Sequence, residues 1–273
     1  MASDATSKPH HWHVADPSPW PIVGSVAALM MAVGGIIYMH TGFIWGFLLG
    51  VVLTMFTMVV WFKDVVLEAE TPGLHTPPVQ VGLRISFLLF IVSEVMFFFA
   101  FFWAFFHSSL PILNLVAGPW PPEGIEVLHT WDIPFLNTLI LLSSGATLTI
   151  AHHALIENNR DRFLNYTLIT VILGFIFLGF QIFEYSVATF GLQDGIYPST
   201  FFLATGFHGF HVLIGAVFLT VCYFRGRSGH FKPDHHVGFE AAAWYWHFVD
   251  VVWLFLFINV YWWGSSPLGH LQP

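Results

Sequence analysis

The sequence predicts an all-α membrane protein with seven transmembrane helices. Three observations predict it. First, 56% of the 273 residues are hydrophobic and only 9% are charged, against about 25% charged in an ordinary soluble domain. So few charges cannot cover a water-facing surface. Second, the apolar residues run continuously over lengths that cross a bilayer core, about 20 residues for a helix. They do not alternate with the period of two that marks a membrane barrel strand. Third, none of these runs contains Lys or Arg. The same composition excludes other classes. A disordered chain is far less apolar. Eight Lys+Arg against 16 Asp+Glu, a net charge of −8, build no basic face for nucleic acid. A single cysteine, Cys222, excludes a disulfide framework and a zinc-finger set.

The seven runs are Ile22–Met39, Phe43–Phe62, Ser86–Phe106, Phe135–Leu155, Phe163–Phe190, Thr200–Phe224 and Ala241–Trp263. The first begins only at residue 22 and is followed at once by a second, which argues against a secretory signal peptide. Runs one and two are joined by the short turn His40-Thr41-Gly42 and form a hairpin. Gly42, Gly46 and Gly50 recur every four residues, a stripe that lets a neighbouring helix approach closely. A Pro-punctuated segment over 63–82, with Pro72, Pro77 and Pro78, links the hairpin to the five later runs. The expected organisation is therefore residues 1–62 (N-terminal segment and two helices), 63–82 (linker) and 83–273 (five-helix bundle). In run three, Phe97–Phe106 is aromatic on all sides, which suits burial among helices or lipid rather than a water-filled pore. Between runs three and four, the segment Ile112–Pro134 carries Pro-Trp-Pro-Pro at 119–122 and is expected to be an ordered cap. Trp12, Trp20, Trp244 and Trp246 fall where one interfacial aromatic belt belongs, and Trp262 and Trp263 where the other does. No internal repeat supports an inverted-repeat transporter.

The cations fix the expected orientation. Lys8 precedes run one; Lys63 and Arg84 lie between two and three; Arg160 and Arg162 between four and five; Arg225, Arg227 and Lys232 between six and seven. All eight fall on one side of a seven-helix serpentine. The positive-inside rule makes that side the cytoplasm or the mitochondrial matrix, with the N-terminus inside and the C-terminus outside.

Ionisable groups at membrane depth are costly and mark candidate functional positions. Glu94 lies near the middle of run three. Asp250 lies at similar depth in run seven, with His247 one turn before it on the same face. His208 and His211 share a face of run six. Each has a structural alternative as a hydrogen-bonded group that ties helices together, and for Asp250 that reading is preferred because His247 and nearby aromatic residues offer partners. Glu184, His152 and His153, near helix ends, are expected to be interfacial anchors. Sixteen histidines raise the possibility of haem between His208 or His211 and His247, but no helix pair shows two such pairs at two depths. His230, His235, His236 and the N-terminal His10, His11 and His13 fall in polar segments, and a Cys/His zinc spacing is absent. There is no phosphate-binding Gly-rich loop, no nucleophile elbow and no soluble domain to house chemistry.

The string Phe239-Glu240-Ala-Ala-Ala-Trp-Tyr-Trp-His-Phe-Val-Asp-Val-Val-Trp-Leu-Phe-Leu-Phe257 resembles subunit III of cytochrome c oxidase, a haem–copper oxidase. Ala204-Thr-Gly-Phe-His-Gly-Phe-His211, Ser93-Glu-Val-Met-Phe-Phe-Phe99, Phe102-Trp-Ala-Phe-Phe-His-Ser-Ser-Leu110 and Asp16-Pro-Ser-Pro-Trp-Pro21 extend the resemblance over essentially the whole chain. The resemblance implies a two-helix hairpin and a five-helix bundle separated by a V-shaped, lipid-filled cleft. It implies an accessory subunit with no catalytic centre, cofactor or metal of its own. Haem a and copper are expected in subunits I and II, cytochrome c is the complex's substrate, and phospholipids are bound. The complex reduces O₂ to water and pumps protons in a bacterial plasma membrane or the mitochondrial inner membrane. Glu94 matches the family's membrane-buried glutamate, which is connected with proton uptake or regulation. Trp61, Glu68, His75 and Arg84 match positions that line the lipid-binding edge of the cleft. The sequence departs at Lys63, where many relatives carry Arg before Asp64; Lys offers a point charge rather than a bidentate fork. The alternatives are subunit III of a related quinol oxidase or nitric-oxide reductase, or a proton-conducting transporter.

The orientation is checked by reporter fusions. A reporter fused at the N-terminus should be accessible only from the cytoplasmic or matrix side. Accessibility from the opposite side reverses the topology.

Overall fold

The computed structural model describes residues 17–71, 73–110 and 120–265. Every apolar run in it is helical: α1 (Trp20–Thr41), α2 (Trp45–Glu70), α3 (Pro77–Ser109), α4 (Ile133–Ile156), α5 (Arg160–Val187), α6 (Ile196–Arg227) and α7 (Val237–Leu256), followed by a π-helical segment, Phe257–Trp263. Seven of these helices are long and apolar enough to cross a membrane. Among the described residues the β-type pairing is one isolated bridge, Lys232 with His235. Trp12, the N-terminal histidines and residues 111–119 of the expected cap lie outside the described residues.

The helices begin and end where the sequence chemistry allows. Proline stands in the first turn of α1 and of α4, where its missing N–H costs nothing. Asn159 caps α5 by accepting the Arg162 N–H at 3.1 Å, which satisfies one of the unpaired donors at a helix start. Gly42 does not belong to the glycine stripe on α2. It ends α1 with φ +76°, and its N–H donates to the Tyr38 carbonyl, a left-handed cap that glycine adopts without a Cβ penalty.

The linker is shorter than the apolar pattern suggests. Helix α2 continues past Phe62 to Glu70 and α3 starts at Pro77, so the described residues between them, 71 and 73–76, are the non-helical part. Apolarity reports bilayer depth, whereas backbone hydrogen bonding continues into the interface, where charged side chains reach water. The chain divides into two compact units, up to Leu83 and from Arg84 onward.

In the first unit, α1 packs on α2. A Cβ at Gly34 would collide with the backbone of Gly46 and Phe47, and one at Gly50 with the backbone of Met31. These contacts are the close backbone approach that small residues permit in membranes. Trp20 is pinned rather than floating in the interface, because its indole N–H donates to Asp64 at 2.6 Å.

In the second unit, α7 is the central helix. The most apolar window of α7 is 67% buried, against 39% or less in α4, α5 and α6. It packs on α4 and α6, and α5 lies against α4 and α6. Trp246 is fully buried and its indole N–H donates to Ser144 Oγ at 2.9 Å. It is therefore a core residue and not part of an aromatic belt. Its ring fits because Gly174 and Gly215 leave the space: a Cβ at either would meet the indole at 2.5 and 2.9 Å. Helix α3 reaches α7 through long side chains, with Phe102 against Phe255 at 4.4 Å and Phe98 against Phe248 at 5.9 Å between ring centroids. The aromatic run of α3 is two-faced. Phe98, Phe102 and Phe105 are buried, while Phe99 and Trp103 are exposed.

Gly215→Leu should fill the Trp246 slot and lower the stability of the detergent-solubilised protein by about 1–3 kcal/mol, the usual range for overpacking. Thermal unfolding measures it. A neutral outcome would show that Trp246 is not wedged against α6.

Candidate functional site

Glu94 on α3 and His211 on α6 form a part-buried polar contact midway along both helices. His211 Nε2 stands 2.8 Å from Glu94 Oε2. The two side chains are 8% and 20% exposed. His211 Nδ1 lies 2.6 Å from the Phe207 carbonyl oxygen. A carbonyl can only accept, so Nδ1 carries a hydrogen and donates it. The Nε2–Oε2 contact then needs one further proton, on the imidazole as an ion pair or on the carboxyl as a neutral hydrogen bond. In either form the pair holds that proton between its two heavy atoms and has no net charge. The surrounding wall is aromatic: Phe98 at 4.9 Å, Phe97 at 5.8 Å and a stacked Tyr245 at 6.2 Å from the His211 ring. This arrangement can hold a proton and exchange it between imidazole and carboxyl.

The other intramembrane residues go to separate partners. His208 shares a helix face with His211 but is fully buried and donates from Nε2 to the Val249 carbonyl at 3.1 Å. It is packed against Trp253 and Phe177. His247 and Asp250 meet each other, Nδ1 to Oδ2 at 3.3 Å, and His247 Nε2 stands 3.4 Å from Thr149 Oγ1 on α4. Gly145 on α4 makes room for this pair, since a Cβ there would collide with the Asp250 carboxylate. His208, His211 and His247 thus point at three different targets.

Two polar constellations were not read from the sequence. Glu184, expected at an interface, is 1% exposed. The Tyr261 hydroxyl donates to its Oε1 at 2.5 Å, and the Gln181 amide donates to the same oxygen at 3.3 Å. Partners from α5 and the π-helical segment together are what allow the carboxyl inside. The second is an ion pair, Arg84 on α3 with Glu240 on α7. Nε donates to Oε2 at 2.6 Å and Nη2 to Oε1 at 3.1 Å, the bidentate geometry that favours arginine. His236 Nε2 lies 3.5 Å from Glu240 Oε1. The sequence held one signal for this cluster: His236 and Glu240 are four apart at a helix start. The partner Arg84, 156 residues away, left none.

Of the expected lipid-edge residues, Trp61 is exposed on α2, and Glu68 and His75 are half-buried. The His75 carbonyl accepts from the Gln80 side chain at 3.1 Å. Arg84 belongs to the other unit and is engaged with Glu240.

Replacing Glu94 separates pairing from packing. Glu94→Gln keeps a donor for His211 Nε2 and should change stability by less than about 0.5 kcal/mol. Glu94→Leu strands that nitrogen and should cost about 1–3 kcal/mol. Thermal unfolding of the purified protein reads both. Equal losses would mean that the contact is not a working hydrogen bond.

Comparison with known proteins gives a consistent result. The family model for cytochrome c oxidase subunit III matches residues 10–265. Cytochrome c oxidase subunit 3 of Arabidopsis thaliana is 59% identical over 261 residues, covering 95% of this chain and 98% of that protein. The subunit 3 proteins of Marchantia polymorpha, 56% identical over 264 residues (96% and 100%), and of Squalus acanthias, 53% identical over 256 residues (94% and 98%), match similarly. With nearly the whole chain matched in this way and every apolar run helical, the chain belongs to the cytochrome c oxidase subunit III family.

Proposed function

We propose that this chain is the accessory subunit of a cytochrome c oxidase, a multi-pass inner-membrane protein that assembles with subunits I and II and holds no redox centre of its own. Electrons pass from cytochrome c to O₂ through haem a and copper in those partners. The observation that carries the reading is the near-full-length identity to subunit 3 proteins, 59% in the first case. The basic loops face the cytoplasm or matrix, a reading that the cation distribution supports.

Within that role, Glu94 and His211 act as a proton-holding pair beside the catalytic subunit. An intramembrane carboxyl paired with imidazole is the arrangement that proton-conducting sites use, and the pair's single shared proton suits uptake and release. Trp61, Glu68 and His75 contribute to phospholipid headgroup binding, with Arg84 as a further cation. Indole and imidazole N–H groups suit a phosphate, and an exposed indole suits the interface. Because Arg84 also holds Glu240, the lipid role is better tested at Trp61 and His75.

Affinity purification of the tagged chain from its native membrane tests the assignment. Co-purified material should show stoichiometric haem a and should oxidise reduced cytochrome c. Material that oxidises quinol but not cytochrome c would support the quinol-oxidase alternative instead. Recovery of the folded chain without haem protein refutes membership of the complex. Two finer tests follow from the site readings. A hydrophobic carbodiimide should modify Glu94, and labelling confined to loop carboxylates would remove the proton role. Trp61→Ala with His75→Ala should lower the phospholipid retained per complex, and unchanged lipid content would remove the headgroup assignment.

A further inference from the structure

Among the described residues, one group of three metal-ligating side chains converges away from Glu94 and the Glu184 cluster: His152, His236 and Glu240. His152 lies just before the last turn of α4, His236 is the residue immediately before α7, and Glu240 is in the first turn of α7. One ligand atom from each lies within 4.8 Å of the others.

Two of these groups meet at close range, and the third has a ring nitrogen without a hydrogen-bond partner. His236 Nδ1 is 2.8 Å from the Lys232 carbonyl oxygen, which can only accept, so Nδ1 carries the hydrogen and the neutral ring presents a bare Nε2. That Nε2 faces Glu240 Oε1 at 3.5 Å, an acceptor opposite an acceptor. His152 Nε2 is buried with no hydrogen-bond partner, and its ring stands edge-on to His236 at 5.4 Å. A proton on His236 would answer the Glu240 contact and leave the His152 nitrogen stranded. A cation between the three answers all of them.

The metrics suit zinc. Zn–N and Zn–O bonds of about 2.0–2.2 Å place tetrahedral ligands about 3.4 Å apart, and the His236–Glu240 separation is already 3.5 Å. The outer shell is also in place. The Nδ1–H of His236 is held by a carbonyl, which orients the ring, and Glu240 is braced by Arg84; such partners commonly support metal ligands. Two imidazoles and one carboxylate form a donor set that zinc accepts, with a fourth position left for a small ligand.

We propose that His152, His236 and Glu240 form a Zn²⁺ site that joins the end of α4 to the start of α7. The metal ties two helix ends that otherwise meet through side-chain packing, at the end of the bundle where the Arg84–Glu240 pair also sits.

The test uses the tagged full chain purified with its co-purifying subunits, stripped with a chelator and dialysed against graded Zn²⁺. Every protein compared carries His10→Ala, His11→Ala and His13→Ala, which removes the N-terminal histidines as competing ligands. Metal counting should show one zinc per chain fewer in His152→Ala and in His236→Ala, or a Kd weakened by about tenfold or more. His152→Cys should retain the zinc, since a thiolate is itself a ligand. Unchanged zinc content and affinity in both alanine variants overturn the proposal. If the alanine variants do not assemble, zinc X-ray absorption of His152→Cys against the unaltered histidine decides. One scatterer should move from about 2.0 Å to about 2.3 Å, and an identical first shell overturns the site.

Discussion

The hydrocarbon core supplies no water, so each polar group inside the bundle must find its partner within the protein. Helix α7 shows what this constraint builds. Its Trp246 indole donates to Ser144, and its Trp253 indole donates to Thr138 at 2.9 Å. The Val249 carbonyl takes the His208 N–H, and Asp250 takes His247. Just beyond, Tyr261 donates to Glu184. Individually such bonds contribute only about 0.6 kcal/mol on average in membranes. Their joint effect is register: α4, α5 and α6 each meet α7 at a fixed rotation and depth, because any other leaves a donor unmatched. The glycines at 145, 174 and 215 then follow as consequences, since a matched donor also needs space for its ring or carboxylate.

The first two helices obey a different rule. They have few polar side chains at depth and are held to each other by backbone approach at Gly34, Gly46 and Gly50. Lipid is as apolar as leucine, so nothing but packing draws two such helices together. Large apolar side chains on both, such as Leu29, Ile36, Val52 and Val59, remain exposed. In a membrane these are ordinary lipid-facing positions. Water solubility is what such a surface excludes.

The fold was legible because bilayer thickness imposes a length on apolar runs, and that length survives in a single sequence. The His247–Asp250 pair was legible because it is local: three residues apart on a helix is one face. What escaped was non-local. Glu184 looked like an end-of-helix anchor because its partner Tyr261 is 77 residues away, and Trp246 looked like a belt residue because the glycines that make its slot lie on two other helices. The expectation of a lipid-edge cation at Arg84 carries no hint of its bidentate carboxylate, which comes from a helix 156 residues on. The helix ends were misjudged for a related reason. The apolar window marks where the membrane stops, and the backbone ladder does not stop with it.

Imidazole–carboxyl pairs stand apart from the register logic, and of the two, Glu94–His211 joins different helices whereas His247–Asp250 lies within α7. The tryptophan indoles and the His208 ring donate to oxygens that need no titratable hydrogen, so those bonds have one form. Glu94 and His211 have two, differing only in which atom bears the shared proton, because the Phe207 carbonyl fixes the hydrogen on Nδ1. The net charge is zero in both, so moving the proton across 2.8 Å adds no uncompensated charge to a low-dielectric site, where a lone ion costs several kcal/mol, about 2.5–3.5 on insertion scales. Tyr245, Phe97 and Phe98 stand around the His211 ring. A glutamate at this depth without its histidine is only an expense. With the imidazole opposite, it has a partner on α6 that balances its charge in either protonation form, while α7 holds the helices around it.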